Sequence, residues 1–460
     1  MTATATAPPA TRSANALLEA PILPTLLRLT LPNLAAMLVV ALVAIAETVY
    51  VGVLGTKALA AIALVFPMIM LMQMLSAGAM GGGVSSAISR AIGAGDVARA
   101  EALALHAVVI GGAAGLVFSV VFAAFSAPIF RTLGGSGAVL DEALGYADIA
   151  LAGAVLTWLL NIFASIVRGT GNMRVPSLAL LTASALQIAL GGALGLGIGP
   201  IPRFGLAGVA SGLVIASAAA TLFLFWFLSS GRGRLTLRLS GVALRREMFL
   251  DILKVGAVSS LGPLQVVLTV LILTRLVAGF GTEALAGYGI GARLEFLLVP
   301  IVFAIGVASV PMVGMAIGAR DIARAQRVAW TAAAVAVAAL GAIGLIVTIA
   351  PDMWSGLFTS DPAVRAAANL YLRWAGPGFA FVGLGLSLYF ASQGSGKVLA
   401  PVLAGTVRLF VIAAGGWWLA ASAAPVWSLF ALVGASMAAF GLSVAAAVYL
   451  TPWADRTPAQ

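Results

Sequence analysis

The chain has no cysteine and one histidine, His106, in 460 residues. Disulfides, thiolate metal sites and thiol nucleophiles are excluded, and a multi-histidine metal centre has no ligands to draw on. Charge is the second shortage: 9% of residues are charged against 62% hydrophobic, whereas a soluble domain carries roughly 25% charge. So little charge cannot cover a water-exposed surface, and the chain reads as a polytopic membrane protein. The first twenty residues are polar, with Arg12 and Glu19. The apolar run behind them is longer than a signal-peptide h-region, so it reads as an uncleaved first membrane helix.

What is present is a series of twelve apolar runs, each long enough to span at about 20 residues per crossing. They lie near 27–53, 61–88, 103–127, 143–167, 175–199, 205–229, 252–278, 284–317, 328–350, 366–392, 399–420 and 427–450. The basic residues behind the net charge of +10 cluster between these runs. With the N-terminus inside, the cytoplasmic side holds Arg12, Arg28, Arg90, Arg99, Arg168, Arg174, Arg232, Arg234, Arg238, Arg245, Arg246, Lys254, Arg320, Arg324, Arg327, Lys397, Arg408 and Arg456. The other side keeps Lys57, Arg131, Arg203, Arg275, Arg293, Arg365 and Arg373. That bias orients both termini to the cytoplasm. It accounts for the excess charge without a nucleic-acid partner.

The chain also repeats itself. "LGTKALA" at 54 returns as "FGTEALA" at 280, and "AIGAGDVARA" at 91 returns as "AIGARDIARA" at 316. At the same offset of 225, "GTGNMRVP" meets "GSGKVLAP", Tyr146 meets Tyr371 and Ser136 meets Asp361. Chance similarity would not hold one offset over so long a stretch. Six spans per repeat give both halves the same orientation, related by an axis along the membrane normal. The expected fold is all-α: twelve transmembrane helices in two pseudo-symmetric six-helix lobes around a central cleft. The expected domains are a cytoplasmic tail 1–25, an N-lobe 26–229, a basic linker 230–247, a C-lobe 248–450 and a tail 451–460.

Several short motifs have structural readings. Asp96, Asp321, Ser136 and Asp361 precede helical starts and read as N-caps, the last with Pro362 at the first helical position. "RGTGNMR" lacks the preceding strand and Gly-Lys-Ser/Thr of a phosphate loop, so it reads as a turn. "GGSG" at 134–137 has the form found in intramembrane serine proteases, but the one histidine precedes it, and His106 reads as a packed residue. Trp226, Trp417, Trp418, Trp427 and Trp453 sit near helix ends as interfacial aromatics. The methionines of "FPMIMLMQMLSAGAM" offer an adaptable apolar surface or face lipid.

Of fifteen acids, only Glu47 and Glu295 lie well inside a span. Charge at bilayer depth costs roughly 3 kcal/mol or more and marks an ion or substrate path by default. Glu47 is about 8–12 Å from the outer rim at helical rise. There it could take a proton from one side and release it to the other; the alternative is a carboxyl hydrogen-bonded for packing. Arg293 is two residues from Glu295 and on a different face. Arg275 is the expected partner of Glu295, while Arg408 is expected to snorkel to the cytoplasmic face.

"LPNLAAMLVVALVAIAETVYVGVLGTKALAAIAL", "AIGAGDVARA", their second-half copies and "LYFASQGSGKVLAP" resemble the multidrug and toxic compound extrusion (MATE) family from Leu26 to Leu450. The resemblance implies an exporter of amphipathic, often cationic compounds driven by proton or sodium entry. The family's first-helix aspartate, threonine and glycine fall on Glu47, Thr48 and Gly52, which carries the coupling carboxylate to Glu47. A fifth-helix Asn-x-x-x-Asp pair would fall on Gln187 and Gly191, so that acid is missing. Sodium wants several oxygens and more than one carboxylate, so one acid favours protons.

The resulting expectation is a proton-driven exporter of small hydrophobic and cationic molecules, acting as a monomer in the inner membrane without a cofactor. The cleft candidates are Tyr50, Gln73, Asn161, Gln187, Gln265, Arg275, Arg293 and Glu295. Rival readings are a sodium-coupled exporter and a lipid-linked precursor flippase, which would need more basic residues in the cleft. A membrane enzyme lacks its nucleophile, base and metal sets, and a passive channel would be indifferent to Glu47→Gln.

Overall fold

A computed structural model describes residues 17–238, 241, 243–422 and 424–453. Arg12, Asp455, Arg456 and most of both expected tails lie outside them. Among the described residues the structure is helical, with no strand. The first half comprises α1 (Ile22–Leu54), α2 (Thr56–Gln73), a π-helical turn (Met74–Met80), α3 (Gly81–Gly93), α4 (Val97–Thr132), α5 (Gly137–Ala152), α6 (Ala154–Gly169), α7 (Arg174–Leu196) and α8 (Gly205–Ser229). The second comprises α9 (Arg246–Ser259), α10 (Leu261–Ala278), α11 (Thr282–Gly318), α12 (Ile322–Ile349), the short α13 (Asp352–Ser355), α14 (Pro362–Ala375), a 3-10 turn (Gly376–Gly378), α15 (Phe379–Ser395), α16 (Leu399–Ala421) and α17 (Val426–Leu450).

Eleven helical stretches among the described residues are long and apolar enough to cross a bilayer. The expected fourth span is instead a pair, α5 and α6, bent by 44°. The bend sits at Gly153, where a Cβ would lie 2.6 Å from Val214 of α8. Counting that pair as one crossing gives the twelve that the apolar runs predict.

The sequence repeat reappears in backbone geometry. Gly55 and Gly281 both have strongly positive φ, at 119° and 108°. Both start a helix, and a side chain there would be strained. Asp96 and Asp321 cap α4 and α12, accepting the backbone N–H of Arg99 and Arg324 at 2.8 and 2.9 Å. Asp361 caps α14 by accepting from Ala363 and Val364. Ser136 occupies the matching position before α5 but makes no side-chain cap. The residue after it is Gly137 in the left-handed region, not a proline pre-set for a helix. Of the tryptophans read as interfacial, Trp226, Trp417, Trp418 and Trp427 are exposed, but Trp453 is buried.

The described chain divides into two compact units. One is Leu31–Gly256; the other joins Leu17–Thr30 to the chain from Ala257 onward. The sequence reading puts the divide at the basic linker, whereas here it falls inside the seventh span, near the break between α9 and α10. The linker itself is tied to the first unit, with Arg234 donating to the Thr170 carbonyl and Glu101 accepting from the Thr236 backbone.

Within the first unit α7 packs along α8. In lipid no hydrophobic drive pulls helices together, so close backbone approach through small residues has to hold them. Gly191 and Gly195 on α7 interlock with Gly208 and Gly212 on α8: a Cβ on Gly212 would stand 2.5 Å from the Gly191 nitrogen. In the second unit α11 and α12 pack on α15, and α16 packs on α17. Gly291 of α11 has no side chain where the Tyr371 ring crosses, and any Cβ there would overlap that ring.

Candidate functional site

In the first unit, Glu47 on α1 meets Gln187 on α7, whose Nε2 donates to Glu47 Oε1 at 2.8 Å. One helical turn along, Tyr50 on α1 meets Gly191 on α7; a Cβ on Gly191 would be 2.9 Å from the Tyr50 hydroxyl. The spacings, three residues on one helix and four on the other, put both pairs on facing stripes. Tyr50 and Tyr146 of α5 belong to one buried apolar cluster with Val65, Phe130, Leu206 and Val209. The Tyr50 hydroxyl has no protein partner. An amide donor at Oε1 serves the carboxyl in either protonation state and leaves Oε2 to carry the proton. Thr48, the next residue of the family motif, bonds back to the Ala44 carbonyl and is exposed.

Gln73 and Asn161 form a second polar group in this unit. Asn161 Nδ2 donates to Gln73 Oε1 at 3.0 Å and to Ser76 Oγ at 2.8 Å. Gln73 ends α2 and Ser76 lies in the π-helical turn, so the amide bridges the place where helix geometry changes. Such π-helical turns occur frequently at functional sites.

The second unit holds the other membrane acid. Glu295 on α11 accepts from the Tyr371 hydroxyl on α14 and pairs with Arg408 Nη2 on α16 at 3.7 Å. Tyr371 is fully buried, with Tyr288 and Phe430 edge-on to its ring. Two expectations change here. The cation beside Glu295 is Arg408 and not Arg275, which is exposed at the end of α10. Arg408 therefore turns toward Glu295 and does not snorkel; a half-buried carboxylate attracts a guanidinium more strongly than the distant interface can. Its Nε has no protein partner.

The remaining candidates scatter. Gln265 on α10 donates to the Val402 carbonyl at 3.2 Å, joining α10 to α16. Arg293 is exposed, with its guanidinium 5.4 Å from the Phe358 ring. Sequence reasoning passed over Tyr371, Arg408 and Ser76 as site members. The repeat held one usable signal: Tyr146 and Tyr371 are 225 residues apart, and each lies in the unit that holds one of the two membrane acids.

His106 is buried in α4, with Nδ1 donating to the Ala102 carbonyl and Nε2 accepting the Arg245 backbone N–H at 2.8 Å. Both ring nitrogens are occupied.

Comparison with known proteins follows the same division. The MatE family model matches residues 32–192 and 260–418, one match in each repeat. An FAD transporter from Shewanella oneidensis is 27% identical over 365 residues, covering 77% of this chain and 78% of that protein. The multidrug export protein MepA from Staphylococcus aureus is 25% identical over 406 residues, covering 86% and 87%. A MOP superfamily transporter from Pyrococcus furiosus superposes with a TM-score of 0.86 at 23% identity, covering 95% of this chain and 96% of that one. An outward-facing multidrug resistance MATE family transporter superposes at 0.85 and 24% identity, covering 95% and 96%. These likenesses in fold agree with the two matched repeats, and the chain belongs to the MatE family of transporters.

Proposed function

We propose that this multi-pass membrane protein exports small hydrophobic and cationic compounds in exchange for protons, with Glu47 as the coupling carboxyl. The observation that carries the reading is the Glu47–Gln187 pair: one carboxyl, one amide donor, and glycine where the family's second acid would stand. Sodium prefers several hard oxygen ligands; a proton needs one carboxyl sheltered from water. Protonation of Glu47 removes a charge that a cationic substrate would otherwise meet. The two forms therefore bind substrate with different strength, which lets a proton gradient drive export. The likeness to a multidrug export protein over most of both chains supports the substrate class.

On this reading the protein acts as a monomer in the inner membrane; the arginine bias between spans supports placing both termini in the cytoplasm. The proposed substrate contacts are Tyr50, Gln73, Asn161 and Gln187 in the first unit and, separately, Gln265, Arg275, Arg293 and Glu295 in the second. A second reading, export of an acidic compound, is supported by the FAD transporter relative and by the Arg408 guanidinium beside Glu295.

Efflux of a cationic dye and of FAD from proteoliposomes, under an imposed proton or sodium gradient, separates these readings. Wild type should move the dye on a proton gradient alone. Glu47→Gln should lose at least tenfold of that activity, and Glu47→Asp should keep part of it. Sodium-driven transport would replace the proton, FAD efflux would favour the acidic substrate, and a copurified polyprenyl lipid would favour a flippase.

A further inference from the structure

The repeat that relates Asp96 to Asp321 also relates Arg99 to Arg324. Each arginine gives its backbone N–H to its capping aspartate. Each then uses its side chain to hold a segment from the other half of the sequence. Arg99 Nη2 reaches Asp251 of α9 at 3.1 Å. Arg324 donates to the Leu17 carbonyl through Nε and Nη2 at 3.3 and 2.9 Å, and to the Ala20 carbonyl at 2.6 Å.

Both held segments lead into a crossing between the units. Leu17–Thr30 belongs to the second unit, and the same helix continues into the first from Leu31. α9 belongs to the first unit up to Gly256, and the chain enters the second at Ala257. The two crossings are 226 residues apart, one of the offsets of the repeat itself. The halves have exchanged their leading segments, and repeat-related arginines grip both.

The grip on α9 is the more extensive. Asp251 pairs with Arg90 at 2.9 Å, Arg99 at 3.1 Å and Lys254 at 2.9 Å, with its side chain 12% exposed. Phe249 packs edge-on against His106, which also accepts the Arg245 N–H. A Cβ on Gly83 would stand 2.7 Å from the Gly256 nitrogen, so the two backbones touch. By contrast, the seventh span is already interrupted at Ser260, with Gly262 and Pro263 just beyond. Removing α9 from the first unit breaks the Asp251 pairs with Arg90 and Arg99 and a close glycine contact, whereas the Lys254 pair lies within α9; bending at Ser260 breaks none of them.

We propose that Arg99 and Arg324 are positioning residues for transport: paired clasps that stay closed throughout the cycle, so that each exchanged segment travels with the half that grips it and the chain flexes at Thr30–Leu31 and Gly256–Leu261. The proposal rests on the transporter reading but not on the identity of the coupling ion.

A chain without cysteine allows a direct test. Arg99→Cys/Asp251→Cys and Ala20→Cys/Arg324→Cys would each be joined by a reducible bifunctional thiol reagent and assayed for dye efflux in proteoliposomes. The expected result is transport within about twofold of the unjoined pair variant, or recovery on joining if that variant has lost activity. A tenfold or greater loss on joining, restored by reductant, would overturn the proposal, as would failure of joining to rescue an inactive pair. If wild type transports no probe, the transport reading fails by itself. The clasps are then read from spin labels at Lys254 and Ala98: one distance across pH 5 to 8 is expected, and a second distance population overturns them.

Discussion

The hydroxyl of Tyr50 occupies the space that a side chain at Gly191 would need, with a Cβ there standing 2.9 Å from the phenol oxygen. Gly191→Ala should therefore lower stability by about 1–3 kcal/mol through overpacking. Tyr50→Phe, which removes a buried hydroxyl without a protein partner, should change stability by less than about 1 kcal/mol on its own. It should also relieve part of the Gly191→Ala loss. Thermal unfolding of the two single variants and the double variant in detergent measures the coupling; strict additivity would contradict the contact. Gly191→Asp should be worse than alanine in either background, because α8 also meets this backbone.

Breaking the pair between Glu295 and Arg408 should be costly from one side and mild from both. Arg408→Gln leaves a carboxylate facing only the Tyr371 hydroxyl; the pair is partly buried, so the loss should fall below the roughly 3–5 kcal/mol of a fully buried pair. Glu295→Gln/Arg408→Gln removes both charges and should return most of the lost thermal stability. Equal losses in the single and double variants would show that packing, and not charge, holds these helices.

Arg320 has a φ of 61°, and among the described residues it is the one non-glycine with positive φ. Its repeat counterpart is Gly95, at 79°. A left-handed conformation costs an L side chain about 1–2 kcal/mol. Arg320→Gly should raise stability by about 1 kcal/mol by that reasoning. Gly95→Ala should lower it, and a thermal shift in the opposite direction for either variant would count against the turn geometry.

Asp352 lies outside the spans in α13. The Asn369 amide and the Arg365 guanidinium, at 2.8 and 2.7 Å, hold its carboxyl below the usual carboxylate range. Because the folded value is depressed, its stabilising contribution is present above the ordinary carboxylate pKa and is lost as pH falls through the folded value. Asp352→Asn should have a lower Tm than wild type at pH 7, and the two curves should converge in acid. Parallel curves down to low pH would rule out this pair as the cause.

Much of the architecture was legible because bilayer thickness imposes one length scale and the repeat copies it. Twelve apolar runs matched the candidate spans among the described residues, and paired caps such as Asp96 and Asp321 marked matching helix starts. The bend at Gly153 was not legible, since an apolar run does not reveal that its backbone turns where another helix passes. The polar pairs divide in the same way. Glu47 stood out as a lone acid among apolar residues, and Gln187 was reached only through the resemblance, which places it at the family's fifth-helix asparagine. Arg408 read as a cytoplasmic-side residue because hydropathy gives its depth and says nothing of which way it faces. Only packing of α16 against its neighbours aims it at Glu295. The exchanged segments were equally hidden: Arg99 and Arg324 matched in sequence, but what each one holds is set by tertiary structure.

That exchange also bears on how such a chain could have arisen. Two identical six-span proteins trading their first segments would be a domain-swapped dimer. Gene duplication and fusion would turn the same trade into an intramolecular one, with the basic linker as the suture. Neither half is then a complete folding unit, since each lacks a piece that its sibling carries.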